Sequence, residues 1–215
     1  PEEILEEVIA FFAPKVLAGR KVLITAGPTF EAINPVRGIT NLSSGRMGYA
    51  VARAARHAGA QVTLVSGPVG LPAPQGVDRV IVRSALDMHA EVMVRAAAAD
   101  IFIGVAAVAD YRVANAAGHK LKKDNGGIPP IELVENPDIL AEVAAMSGGP
   151  FCVGFAAESR NLEEYAQTKR RKKNIPLIAG NLIQDGFGGD DNRLVLFDDA
   201  GVHPLTPAPK SELAR

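Results

Sequence analysis

Cysteine is nearly missing from this chain of 215 residues, tryptophan is missing altogether, and aromatic residues make up only 5%. The single Cys152 excludes an intramolecular disulfide framework and fits a reducing compartment. Inside the apolar stretch FCVGFAA it reads as a buried thiol rather than a nucleophile. No apolar run approaches the roughly 20 residues that span a bilayer. The opening PEEILEEVIAFFAPK lacks the basic-then-apolar order of a secretory signal, so a cytoplasmic protein is expected. Excess charge is absent as well. With 23 Lys plus Arg against 24 Asp plus Glu the net charge is −1, which excludes a global field for nucleic acid or an acidic membrane. Any anion site has to be local. The four histidines, His57, His89, His119 and His203, keep no metal-ligand spacing with one another or with Cys152.

What the chain does have is alternation. From Val22 onward apolar runs and helical patterns take turns: VLITA, a helix from Arg46 to His57, QVTLVS, VDRVIVRS, a helix over ALDMHAEVMVRAAAA, DIFIGVAA, then, after a break, PDILAEVAAM as a helix, FCVGFAAES, the helix NLEEYAQTKRRKKN and PLIAGNLI. The runs are near-continuous Val, Ile and Ala, as strands covered on both faces require, and the connections are short. This predicts an α/β fold, a Rossmann-like doubly wound, mostly parallel sheet with helices on both faces. Residues 193–206, RLVLFDDAGVHPLT, place two short strands around Asp198 to Gly201 and predict a C-terminal hairpin at the sheet edge. Residues 2–12 bring Ile4, Leu5, Val8, Ile9 and Phe12 to helical spacing, and Pro14 ends that helix. Because this helix precedes the first strand and no initiator methionine is present, residues 1–18 read as a linker from an upstream domain. PAPKSELAR reads as the first turn of a helix that has been cut off, so residues 19–215 are expected to form one domain truncated at its C-terminus.

Chemistry concentrates in three stretches. Lys21 to Gly48 reads as a buried strand, a long polar loop from Gly27, and a helix opening at Ser43, Ser44 and Gly45. Backbone N–H groups and the positive end of a helix dipole there can bind an anion, most naturally a phosphate; equally, Ser43 or Ser44 can simply cap the helix. A dinucleotide fold would carry GxGxxG at this turn and a carboxylate at the end of the next strand. Only Gly45 and Gly48 match, and the second strand ends Ser66-Gly67-Pro68. Asn41, two residues before Ser43, offers an uncharged amide that can donate to a carbonyl or phosphoryl oxygen, or can serve as a turn residue. The second stretch is GVAAVADYRVANAAGHKLKKD. Asp110 stands at the carboxyl end of a strand, where a carboxylate can hold magnesium or a ribose hydroxyl, and the loop after it delivers Lys120, Lys122 and Lys123 toward a polyphosphate, unless those lysines are only a solvated surface. The third is Lys169 to Lys173, KRRKK, which reads as compensation of a helix dipole on a solvated face. Tyr165 and Lys169 also keep the Y-x-x-x-K spacing of short-chain dehydrogenases, without the nucleotide fingerprint that such enzymes need.

The ordered set ITAGPT, NPVRGITNLSSGRMG, VSGP, AAVADYR, KLKK, ENPDIL and VGFAAES resembles the phosphopantothenoylcysteine synthetase family, one half of a bifunctional coenzyme A biosynthesis protein. The resemblance covers Lys21 to about Asn192. It implies a phosphopantothenate–cysteine ligase: CTP activates 4′-phosphopantothenate as an acyl-cytidylate with release of pyrophosphate, then the cysteine amine displaces CMP. It implies catalytic roles for Asn41 (the acyl-cytidylate) and Lys120 (CTP, on a movable flap). It places Gly27, Ser43, Ser44, Gly45, Ala107, Asp110, Lys120, Lys122, Lys123 and Phe155 around CTP and its phosphates, and Arg37, Asn41 and Ala107 at the phosphopantothenoyl part, Arg37 helped across a dimer interface. Magnesium accompanies CTP; the choice of Asp110 as its ligand, rather than as a partner of the ribose, is our own assignment and not part of what the resemblance implies. No flavin is expected on this segment; the flavin-dependent decarboxylase would be the upstream domain fused through residues 1–18. A homodimer is implied, with the 193–206 hairpin as the dimerisation strand. Some members read ANDV where this chain has GNLI at 180–183, so a role for an acidic residue there does not carry over. The readings from other classes are an NADP-linked short-chain-type dehydrogenase, resting on Tyr165 and Lys169, and a non-catalytic nucleotide-binding module.

Overall fold

A computed structural model describes residues 2–121, 130–186 and 191–215. The chain opens with helix α1 (Glu2–Phe12), then runs through strand β1 (Lys21–Ala26), a hairpin of β2 (Phe30–Asn34) and β3 (Arg37–Thr40), helix α2 (Arg46–His57), β4 (Gln61–Ser66), β5 (Asp78–Ile81), α3 (Ala85–Ala96) and β6 (Ile101–Gly104). A second small hairpin follows, β7 (Tyr111–Val113) with β8 (Leu133–Glu135), before α4 (Ile139–Ala144), β9 (Phe151–Glu158), α5 (Leu162–Lys172) and β10 (Leu177–Leu182). The C-terminal part holds α6 (Ile183–Gly186), β11 (Asp191–Asn192), β12 (Val195–Phe197), β13 (Val202–Pro204), β14 (Ala208–Pro209) and α7 (Lys210–Leu213).

Eight strands form one sheet in the order β13-β12-β10-β9-β6-β1-β4-β5. From β5 to β10 every pairing is parallel. The hairpin of β12 and β13 adds antiparallel strands at the edge, as its turn signal predicts. The order is that of a doubly wound sheet: the chain leaves β1 for β4 and β5 on one side, then returns past β1 to continue through β6, β9 and β10 on the other.

Strand residues alternate between two cores, because successive side chains leave opposite faces. Val22, Ile24, Ala26, Val62 and Leu64 face the stripe Tyr49, Ala52 and Ala55 of α2. Leu23, Val65 and Phe102 face α3 and α4 through Met88, Val92, Leu140 and Val143. Cys152 lies in this second core, 2% exposed, and burial pushes its thiol up to about 11, which leaves it protonated and inert as the sequence implies.

Helix α1 lies against α2 by its charged side. Its apolar stripe points outward, with Ile4, Phe11 and Phe12 exposed, while Glu6 pairs with Arg53 and His57 of α2. Among the described residues no helix is long and apolar enough to cross a membrane.

Helix α2 packs unusually close to β1. A Cβ on Gly48 would stand 2.5 Å from that of Ala26. Gly48→Ala is therefore expected to push α2 off the sheet and to destabilise the domain by about 1–3 kcal/mol. Chemical denaturation measures this, and an unchanged midpoint would show that α2 has room to move.

Candidate functional site

The switch point of the winding lies between the carboxyl ends of β1 and β6, where Thr25 stands opposite Gly104. Open α/β sheets leave a crevice at this place because the connections diverge to opposite faces. Beyond the strands the two segments stay joined. Pro28 bridges Ala107 in parallel, the Ala107 N–H donates to the Gly27 carbonyl at 2.9 Å, and the Ala109 N–H donates to Thr29 Oγ1 at 3.0 Å.

The connection from β1 to α2 is not the open polar loop that its composition suggests. It folds into the β2–β3 hairpin, anchored by buried Glu31, whose carboxylate accepts the first N–H of α3 at 2.9 Å. Asn34 closes the turn by accepting the N–H groups of Val36 and Arg37. With this excursion removed, Gly27 and Gly45 come back to back: both have positive φ, and a Cβ on Gly45 would lie 3.4 Å from the Cα of Gly27. Gly27, Gly45 and Gly48 thus form one compact glycine turn at the end of β1, which the hairpin interrupts in sequence but not in space.

Two cavities open along this crevice and share the walls Ala106, Val108, Phe155 and Lys169. One, of about 340 Å³, collects Asp110, Glu135, Asn136, Asp138 and Lys173. The other, of about 560 Å³, lies over the Ser43–Gly45 turn and is bordered by Gly27 and Ala107. Gly45 is the N-cap of α2 and has no side chain to cap it, while the Ser43 and Ser44 hydroxyls accept the N–H groups of Gly45 and Arg46 at 3.3 and 3.5 Å. The N-terminus of α2, with its positive dipole end, borders the larger cavity.

Lys169 stands at the waist between the cavities, its ammonium donating to the Phe155 carbonyl at 2.7 Å. Burial pushes it below the usual lysine range, and the nearby Lys173 ammonium adds to this. Lys173 pairs with Asp138, which also caps α4 through the Ala141 N–H at 3.1 Å. Burial would raise the Asp138 carboxyl, but the Lys173 ammonium and that N–H hold it below the usual carboxylate range. The reading of KRRKK as a solvated face is therefore corrected: Lys169 and Lys173, one helical turn apart, both turn inward. Their i, i+4 spacing was the available signal. Asn136 was also missed; its amide donates to the Ala109 carbonyl at 2.8 Å and fixes the segment after β6.

Of the residues singled out in the sequence, Gly27, Ser43, Ser44, Gly45, Ala107, Asp110 and Phe155 line the two cavities. Asn41, Arg37 and Lys120 border neither. Asn41 differs from its expected role as a donor to a ligand, because its Nδ2 donates to the carbonyls of Ala107 and Val108 at 3.1 and 3.2 Å. Its Oδ1 is the atom left to meet a ligand. Arg37 lies exposed beyond the hairpin turn and donates to the Leu121 carbonyl at 3.1 Å, tying the hairpin to the residue after Lys120. Lys122 and Lys123 lie outside the described residues. Tyr165 borders neither cavity among the described residues, so the Tyr165–Lys169 pair does not face a common site. No group of three or more His, Cys, Asp or Glu is assembled for a metal among the described residues. A lone Asp110 fits magnesium held mainly by phosphates and water.

A family model described as the DNA/pantothenate metabolism flavoprotein C-terminal domain matches residues 17–215. The chain is 52% identical over 220 residues to the coenzyme A biosynthesis bifunctional protein CoaBC of Vibrio cholerae, covering 100% of this chain and 55% of that protein. Against the Escherichia coli K12 protein of the same name the identity is 49%, covering 99% and 54%. The chain thus spans about half the length of the curated relatives it matches. A crystal structure of the C-terminal domain of a coenzyme A biosynthesis bifunctional protein CoaBC superposes with a TM-score of 0.80 at 42% identity, covering 94% of this chain and 93% of that one.

Proposed function

The chain belongs to the DNA/pantothenate metabolism flavoprotein C-terminal domain family, and from that premise we propose that it is a phosphopantothenate–cysteine ligase acting in coenzyme A biosynthesis. The observation that carries the reading is the pair of cavities meeting at Lys169. A two-step condensation needs one place for a nucleoside triphosphate, another for an acid, and a cation where the two react.

In the reaction, an oxygen of the 4′-phosphopantothenate carboxylate attacks the α-phosphorus of CTP and pyrophosphate leaves. The cysteine amine then attacks the acyl carbon, and the C–O bond to CMP breaks as the nitrogen gives up its proton. The nucleotide occupies the smaller cavity, with Asp110 beside the ribose or its magnesium and Asn136 and Asp138 at the base. Magnesium, when bound, offsets charge on the triphosphate. Lys169 sits where the carboxylate and α-phosphate meet, two anions that repel unless a cation lies between them. Phosphopantothenate lies in the larger cavity, so Ser43, Ser44 and Gly45, which the sequence assigns to the phosphates of CTP, are reassigned to this acid. Lys120 approaches the outgoing pyrophosphate from the segment that Arg37 holds at the Leu121 carbonyl. The protein acts in the cytoplasm as a homodimer joined through the β12–β13 edge, fused in its full length to a decarboxylase through residues 1–18.

The test is one assay with CTP, magnesium, 4′-phosphopantothenate and cysteine. Pyrophosphate is expected without cysteine, and CMP and the amide only with it. Absence of CMP under every condition would sink the proposal; nicotinamide-linked turnover would put the dehydrogenase in its place.

A further inference from the structure

Resting on the reading that the full-length protein carries a further domain before residue 1, we propose that the outward stripe of α1 is the surface on which that domain docks. Ile4, Val8 and Phe11 follow one another at the i, i+4 and i+7 spacing of a helix laid into a groove, with Leu5 and Phe12 beside them. All five are exposed, Phe11 and Phe12 by 78% and 77%. Those two rings meet edge to face with their centres 5.1 Å apart. Soluble surfaces rarely gather so many large apolar side chains without a partner for them. Beside the stripe an open hollow of about 740 Å³, bordered by Val8, Phe11, Arg56 and Gln75, has room for side chains from that partner.

The helix is held in this pose from its other side. Glu6 pairs with Arg53 at 3.3 Å and with His57 at 3.0 Å, Glu7 pairs with Arg56 at 3.6 Å, and the Lys15 ammonium donates to the His57 carbonyl at 2.9 Å. Exposed ion pairs contribute little and covering two phenyl rings contributes more, so this pose is the favourable one when something covers the stripe. Two sequence ranges say what covers it. The matched family model starts at residue 17 and leaves α1 outside, whereas the Vibrio cholerae relative aligns with 100% of this chain, α1 included, in a match that takes in only 55% of that protein. Because the model describes a C-terminal domain, the rest of the longer protein precedes it. A domain joined through residues 1–18 reaches the stripe as a tethered neighbour at high effective concentration, while a second copy has to find it from solution. The ion pairs fasten α1 to the last turn of α2, and the first turn of α2 faces the crevice, so a domain docked there leaves both cavities open.

The experiment uses the full-length protein, once with a photoreactive benzophenone side chain in place of Phe11 and once with Phe11→Gln and Phe12→Gln combined. Irradiation is expected to join position 11 to a peptide from before residue 1. Glutamine forms helices well, so an α1 that stands free in water keeps its stability in the double variant. A covered α1 loses it: its amides are expected to exchange hydrogen roughly 10- to 100-fold faster than in the wild type, the worth of burying a phenyl ring. CMP formation should stay unchanged, because the cavities lie at the other end of α2. Unaltered exchange, or a crosslink to α1 of a second copy, would overturn the assignment. A reading frame with no domain before residue 1 would overturn it and the fusion together. Crosslinks to the preceding domain in a protein that never forms CMP would sink the ligase reading and keep the surface. CMP formation with position 11 free of crosslinks would do the reverse.

Discussion

Replacing Lys169 by methionine is expected to lower kcat/KM for CTP by roughly 10²- to 10³-fold, the usual cost of deleting one preorganised charge-stabilising group, while leaving the domain folded. The argument turns on what the ammonium does when no ligand is there. Burial and the Lys173 charge hold it below the ordinary lysine value, so the fold prefers the neutral amine. The folded chain then binds fewer protons at this site than the unfolded one, and stability rises as pH climbs through the lowered folded-state value toward 10.5. At neutral pH Lys169 is thus a stability cost, offset in part by the 2.7 Å hydrogen bond to Phe155. Methionine fills the volume without the charge, so net stability should change by no more than about 1 kcal/mol. Activity lost with stability kept separates a ligand-facing cation from a structural one. In the wild type, CTP affinity should fall as pH rises through a range below that of an ordinary lysine, and Lys169→Met should flatten that profile. A parallel loss of midpoint and activity would refute the assignment.

Lys169 also shows why one part of the site was legible in the sequence and another was not. Inner parallel strands such as β1 and β4 could be read because each is a short apolar run buried on both faces, and the glycine-serine turn because its residue types serve few other purposes there. Helix α5 was misread because a basic run at a helix C-terminus satisfies the dipole whichever way it faces, and only the packed sheet shows that Lys169 and Lys173 turn toward Asp138. The β2–β3 hairpin was hidden for a different reason. Its stability comes from contacts distant in sequence, such as Glu31 with the start of α3 and Phe30 under the Arg83 guanidinium, 4.7 Å from the ring centre. Gly38 reads as a loop signal, yet it is there because a Cβ would come 2.3 Å from the Phe30 ring.

Asn41→Asp is expected to stall the reaction after its first step, with pyrophosphate released at near the wild-type rate and the amide formed roughly 10²- to 10³-fold more slowly. The side-chain amide now holds two carbonyl oxygens, those of Ala107 and Val108, and so clamps the Asn41–Gly45 loop across the switch point. A carboxylate of the same shape has no hydrogen to give and places negative charge about 3 Å from both oxygens, so the loop must retreat. Because Asn41 borders neither cavity, the nucleotide contacts proposed for Asp110, Asn136 and Lys169 should survive, and CTP should still react. What should suffer is the placement of the acyl group against the incoming amine, because the Ser43–Gly45 turn and the Ala107–Val108 segment that the clamp joins both border the larger cavity. Lys120→Gln should behave in the opposite way, since a cation needed for the departing pyrophosphate acts before the acyl-cytidylate exists. Rapid quench with radiolabelled CTP separates the two: labelled intermediate should accumulate in Asn41→Asp and be missing from Lys120→Gln. Equal amounts in both variants would mean that the two residues serve the same step.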